Sequence, residues 1–214
     1  MKDLIIDIET ARLRVIPEPP ETILKRGMGN LVNEEKIAAK EKANIDSWFE
    51  KAALDYRKGQ VIAIGIMQPD EDRPLIVTTE ERTEVGLLQQ AMEACRNADD
   101  LIGFNIWGFD LPFLLGRCWL TGVRWAPRFQ LDELERPYPA KWCIDLMRRA
   151  AFGNTFEWAG WSLGYYAEAL NLRTEPYGTG EDVAEWYAYG QWAEIRKHLE
   201  RDLLMTRDLY NLIG

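Results

Sequence analysis

Apolar residues recur along this chain in two rhythms. Leu4, Ile5, Ile6 and Ile8 make a strand-length run, and the pattern returns at Val61-Ile62-Ala63-Ile64-Gly65-Ile66-Met67, at 75–79 and at 101–105. Elsewhere the period lengthens to that of helices. Such stretches are 33–54, rich in Ala, Glu and Lys; 81–97, with Val85, Leu88, Met92 and Cys95 on one face; 110 to about 122; 144–151; 161–172; 182–189; and 192–213. Pro17, Pro19 and Pro20 keep 11–22 out of regular structure, and three prolines predict an irregular loop over 123–141. The turn at 69–74 makes the second and third strands an antiparallel meander on the first. Strands come early and helices dominate later. The pattern predicts an α/β fold, one domain over 1–214 built on a mixed sheet, with a helical insertion at about 11–58.

The first strand carries the one anomaly in this pattern. Asp7 and Glu9 are two apart, so both carboxylates point to one side of an otherwise apolar strand. Like charges held together in a desolvated place repel, which favours protonating one of them unless a divalent cation lies between. The alternative is structural: Asp7 marks the strand end and Glu9 faces solvent where a loop begins.

Composition narrows the setting. Of 214 residues, 47% are hydrophobic and 29% charged, the profile of a globular protein. The longest apolar runs are strand-length and no leader pattern precedes the first strand, so a cytoplasmic protein with no membrane partner is expected. Cys95, Cys118 and Cys143 are odd in number and have no CxxC spacing, which suggests neither a disulfide framework nor a zinc site. The net charge of -9 taken alone argues against nucleic acid as a partner, but the charge is unevenly spread: 11–58 holds ten basic against eight acidic residues, and 117–149 seven against four. Neither is a strong basic patch.

Two further acidic positions stand out. Asp110 follows Gly103-Phe104-Asn105-Ile106-Trp107-Gly108-Phe109, where a strand stops and a helix begins; Asp as an N-cap, with Pro112 in the first turn, accounts for it structurally. Asp202 shares a helix face with His198 and Thr206, four residues to either side, beside an apolar stripe of Leu199, Leu203 and Leu209.

Taken together, these segments resemble the DEDD superfamily of 3'-5' exonucleases, which have the ribonuclease H-like fold. Asp7-Ile8-Glu9-Thr10 matches the first motif, the Gly-Phe-Asn to Asp110-Leu-Pro-Phe-Leu stretch the second, and Asp202 with Thr206, Leu209 and Tyr210 the third. The helix over 162–172 resembles the one such proteins carry before the third motif. The nearest likeness is to stand-alone exonucleases similar to the proofreading domain of family B DNA polymerases. The resemblance implies that Asp7, Glu9, Asp110 and Asp202 bind two divalent cations, Mg2+ or Mn2+, with Asp7 bridging them, and that nucleoside 5'-monophosphates leave from a 3' end. There is one departure: where that branch places a tyrosine four residues before the last aspartate, this chain has His198, its only histidine. A neutral imidazole can orient or deprotonate the attacking water; a capping or surface histidine is the bland alternative.

The same resemblance makes nucleic acid the partner, single-stranded DNA in the first place and RNA as the alternative. Specificity would lie in contacts to the 2' position, which no motif reveals. A non-catalytic binding module of the same fold is the competing class, and four intact carboxylates argue against it. The protein is then free-standing, or a subunit acting in trans with a polymerase or repair complex. Thr10, Asn105 and Trp107 are the expected substrate contacts, Asn105 equally a turn former. Asp145 fits a structural or supporting role. Of nine tryptophans, Trp48, Trp119, Trp186 and Trp192 fall at spacings that suit core packing, whereas Trp107, Trp142 and Trp158 lie in or beside loops and are candidates for stacking on bases.

Overall fold

A strand that is apolar on both sides belongs in the middle of a sheet, and β1 (Lys2–Arg12) lies there. The computed structural model describes residues 2–29, 31–126, 129–152 and 161–214. After β1 come α1 (Glu21–Leu24), α2 (Glu34–Glu50) and a 3-10 turn over Lys51–Leu54, all before β2 (Gly59–Met67). β3 (Leu75–Thr78), α3 (Glu84–Asn97), β4 (Ala98–Gly103) and α4 (Asp110–Thr121) follow, then α5 (Leu131–Leu134), β5 (Cys143–Asp145) and α6 (Leu146–Ala150). The chain closes with α7 (Leu163–Ala169), α8 (Gly180–Ala188) and α9 (Trp192–Ile213).

The sheet order is β3-β2-β1-β4-β5. β1, β2 and β3 form the antiparallel meander, and β4 and β5 add in parallel on the other side. Ile6 and Ile8 of β1 pack with Leu87, Leu88 and Met92 of α3 and with Leu111 and Leu114 of α4. Ile5 and Ala11 face the other way, into a second core with Tyr166 of α7, Val183 of α8, and Ile195, Leu199 and Leu203 of α9. Asp7 and Glu9 follow Ile5 at two-residue steps, so the carboxylates share the face that α9 covers. α9 packs on that side of the sheet against a glycine of β2. Gly65 pairs with Asp7 across the ladder, and a Cβ built on it would lie 2.3 Å from Leu203 Cδ1 and 3.1 Å from Leu199 Cγ.

Several local features differ from what the sequence predicts. β1 runs on to Arg12, still paired with β2 at Thr10, Ala11 and Arg12 beyond a register shift between Glu9 and Thr10. α2, capped by Asn33, whose side chain accepts from the Lys36 amide, tightens into a 3-10 turn where a single helix to Leu54 is expected. Residues 144 and 145 belong to an edge strand and not to the helix that follows. Thr83 caps α3, which turns Val85 outward and buries Leu87, Leu88, Ala91, Met92 and Cys95. Trp119, placed in the core by its spacing, is 66% exposed and stacks on Trp125. No helix among the described residues is long and apolar enough to cross a membrane.

Candidate active site

Three elements meet around the second half of β1. Asp7 and Glu9 project from the strand itself; Asp110 opens α4; His198 and Asp202 occupy successive turns of α9. Helix capping, the structural alternative for Asp110, is not the role it plays. Phe109 holds the cap position, with no side-chain cap bond. The Asp110 carboxylate instead reaches across to β1, where the Ile8 amide donates to Asp110 Oδ1 at 3.2 Å and to Asp7 Oδ1 at 3.0 Å. One backbone N–H is thus shared by two carboxylates, which binds the strand to the helix and holds two like charges together.

Nothing nearby neutralises them. Among the described residues no lysine or arginine pairs with Asp7, Glu9, Asp110 or Asp202. Burial and the charge of Asp202 push Asp7 up to about 7, against the hydrogen bonds from Asp110 and Ile8 that lower it. Burial, with Asp7, Asp202 and Asp110 as like-charged neighbours, drives Glu9 well above the usual carboxylate range. Asp110 is also driven well above it, by burial and by Asp7. Burial raises Asp202 to about 7.

His198 sits among these groups, 5% exposed. Its Nδ1 meets the Tyr177 carbonyl, which can only accept, so Nδ1 carries the proton and Nε2 keeps its lone pair. That lone pair lies 3.5 Å from Glu9 Oε1 and 3.6 Å from Asp202 Oδ2. Burial lowers the His198 pKa, although the bond to Tyr177 works in the opposite direction, so the ring is neutral at pH 7. Trp186 and the imidazole meet in a T-shaped arrangement, and Tyr177 stacks on Trp186. Sequence reasoning does not reveal the Tyr177 carbonyl or the Ile8 amide, because a backbone group that becomes a ligand through tertiary packing leaves no residue signature.

Asn105 adopts a left-handed backbone, φ 61°, and its carbonyl accepts from the Gly108 and Phe109 amides. It is therefore a turn former, while its side-chain amide has no hydrogen-bond partner among the described residues. The Thr10 hydroxyl donates to the Ala53 carbonyl at 2.8 Å, which fastens the segment before β2 to β1. Trp107, 8% exposed, belongs to the core beside Trp142. Trp158 lies outside the described residues. Asp145 caps α6 and accepts from the amides of Asn105, Trp107 and Arg148. It thereby fixes the loop that leads to Asp110.

The four carboxylates suit hard divalent cations. Oxygens of Glu9 and Asp202 lie with a His198 nitrogen in one group, all within 4.8 Å of one another, and Asp7 and Asp110 are joined beside them through the Ile8 amide. Carboxylate oxygens with no basic partner are what such an ion would relieve.

A family model described as RNase_H superfamily matches residues 49–213, which include Asp110, His198 and Asp202; Asp7 and Glu9 precede the matched segment. A search of curated proteins finds no match. Among solved structures, the chain is similar to the family B DNA polymerase from the hyperthermophilic archaeon Pyrobaculum calidifontis, with a TM-score of 0.64 and 16% identity. The likeness covers 99% of this chain and 24% of the polymerase chain, so the protein spans about a quarter of that polymerase's length. At this identity the likeness is one of fold. Five strands in mixed order, a carboxylate pair on the central one and a family match over most of the chain lead to one assignment: the protein belongs to the RNase H superfamily.

Proposed function

We propose that this protein is a 3'-5' exonuclease that hydrolyses single-stranded DNA and releases nucleoside 5'-monophosphates. The observation that carries the reading is the convergence of Asp7, Glu9, Asp110 and Asp202, from three distant segments, into one uncompensated cluster with a neutral imidazole inside it. The order of these residues is that of the DEDD exonucleases the sequence resembles. Asp7, Glu9, Asp110 and Asp202 would hold two divalent cations, Mg2+ or Mn2+. Bound there, the cations would polarise the scissile phosphate and stabilise charge on the leaving 3' oxygen.

The protein's own groups do the rest. The Ile8 amide presents Asp7 and Asp110 in one orientation, so the site is built before substrate arrives. His198 Nε2 accepts a proton from the attacking water, with the ring held by Tyr177 and kept neutral by burial. A tyrosine of ordinary pKa at this place could position water but not deprotonate it near pH 7. Of the expected substrate contacts, Asn105 is retained for the terminal nucleotide, since its side-chain amide is free among the described residues. The Thr10 hydroxyl and the Trp107 ring are engaged within the protein.

The test is digestion of 3'-labelled single-stranded DNA and RNA in Mn2+ by wild type, Asp7→Ala and His198→Ala. Mononucleotide release from DNA by wild type, lost in the Asp7 variant and reduced by about 10²- to 10⁴-fold in the His198 variant, is the expected result. Equal activity of Asp7→Ala would sink the assignment, and equal activity of His198→Ala would remove only its role as base. Faster digestion of RNA would move the substrate and leave the chemistry in place. Thermal stabilisation by Mg2+ or Mn2+ reports binding without turnover, and its absence would end the two-cation reading.

A further inference from the structure

Two residues past Glu9, the face of β1 that bears the carboxylates opens into a groove of about 900 Å³ to which none of the cluster contributes. Ala11 and residues 12–16 form its floor, the end of α2 one wall through Phe49, and α8 the other through Tyr187. Two features already described bring these walls together. Past the register shift after Glu9, β1 stays paired with β2 as far as Arg12, and the bond from Thr10 to Ala53 draws the residues after α2 up against it. At about 3.3 Å per residue, Arg12 lies about 10 Å along the strand from Glu9.

The lining is mixed in a telling way. Arg12 and Arg14 are exposed, and their guanidinium groups have no ion-pair or hydrogen-bond partner among the described residues. Glu50 and Glu185, also exposed, lie on the opposing walls. In a chain of net charge -9, diffuse attraction cannot gather a polyanion, so a few placed cations must do it. The planar guanidinium fork is suited to phosphate. A half-buried Phe49 also lines the groove, and an aromatic ring is a stacking partner for any base.

We infer that this groove takes the stretch of single-stranded nucleic acid just 5' of the scissile bond, with Arg12 and Arg14 on its phosphates and Phe49 against a base. The inference rests on the exonuclease reading for its direction: a 3' end at Asp7 and Glu9 leaves the rest of the strand to run along β1 into the groove. Glu50 and Glu185 oppose a polyanion and keep its hold weak, which suits an enzyme that must let the strand advance after each cleavage. An occupant of the opposite charge would invert the roles of these four residues.

The experiment measures binding separately from chemistry. Anisotropy of a 5'-fluorescein oligothymidylate of about twelve nucleotides, a length within the range of single-strand sites, is followed in Ca2+ against salt. Arg12→Ala/Arg14→Ala should weaken binding by about tenfold and flatten the salt dependence by about 1.4 in log–log slope, the share of two phosphate contacts on a single strand. Glu185→Gln should tighten it. In turnover, the double variant should lose about tenfold more on the oligomer, through KM, than on the p-nitrophenyl ester of thymidine 5'-monophosphate, which has no upstream nucleotide. Unaltered affinity and salt slope in the double variant, or weaker binding by Glu185→Gln, overturns the groove. Hydrolysis of the ester by Asp7→Ala at the wild-type rate overturns the nuclease reading instead, and leaves the binding result to stand by itself.

Discussion

Asp110 and Asp145 occupy matching corners of the sheet, each where a parallel strand gives way to a helix, and their surroundings are opposite. Both are nearly inaccessible, at 3% and 2% exposure. Burial raises the pKa of Asp145 on balance, but backbone donors surround it, the amides of Trp107, Arg148 and Asn105, and each of them works to lower it. Asp110 has the Ile8 amide and shares it with Asp7, while burial and Asp7 both push its pKa up. A buried aspartate answered by amides is held as part of the frame. One crowded by other carboxylates destabilises the frame it sits in, and in a fold at the margin of stability such a group calls for another explanation.

The contrast can be broken by substitution, with the largest effect at the cluster. Asp110→Asn keeps an oxygen for the Ile8 amide and removes a charge. Hydrolysis of a labelled strand should fall by about 10³-fold or more, the scale of losing a preorganised electrostatic contact, while urea unfolding of the chelated protein shows stability unchanged or raised. Marked destabilisation by this variant would make Asp110 a frame residue after all. Asp145→Ala should do the reverse. It leaves three amides without their acceptor and should cost about 3 kcal/mol in a urea titration, from a lost cap together with buried donors left unpaired; the proposed cation binding should survive, as read by thermal stabilisation with Mn2+.

A smaller effect sharpens the comparison through pH. Asp7 and Asp202, at about 7 in the fold against an ordinary 3.8, retain protons that the unfolded chain has already released. Groups with a raised folded-state pKa contribute stability that is complete below the unfolded value and lost as pH rises through the folded one. The melting temperature of chelated protein should therefore fall between about pH 4 and 7, and saturating Mg2+ should flatten the slope, as should Asp7→Asn. A melting temperature that climbs over that range would show that some cation of the protein already compensates the cluster.

Much of this arrangement is legible in the residues. The apolar runs locate the meander, and i, i+4 spacing places His198 beside Asp202. The failures have physical causes. Cys143-Ile144-Asp145 is too short to display a period, and becomes a strand only because β4 offers an edge. Local capping rules assign Asp110 to its own helix, but an amide on β1 outcompetes the cap. The meeting of His198 with Glu9 depends on how closely α9 approaches the sheet, and the spacing of residues on α9 says nothing of that. Trp107 lies in a loop by sequence and in the core by packing, since the loop folds inward over Asp145.

Gly65 lies outside the site, yet it is where β2 seats the helix that carries half of it. A Cβ built there meets the Leu203 Cδ1 methyl and the Leu199 side chain. With any side chain at this position, that methyl must turn aside and Leu199 give by a few tenths of an ångström, or α9 must lift, and His198 and Asp202 with it. Where the leucines cannot give, every group named in the chemistry would still be present, yet the two halves of the site would stand apart. Position 65 thus acts as a gauge, read on a helix by a strand that carries none of the carboxylates.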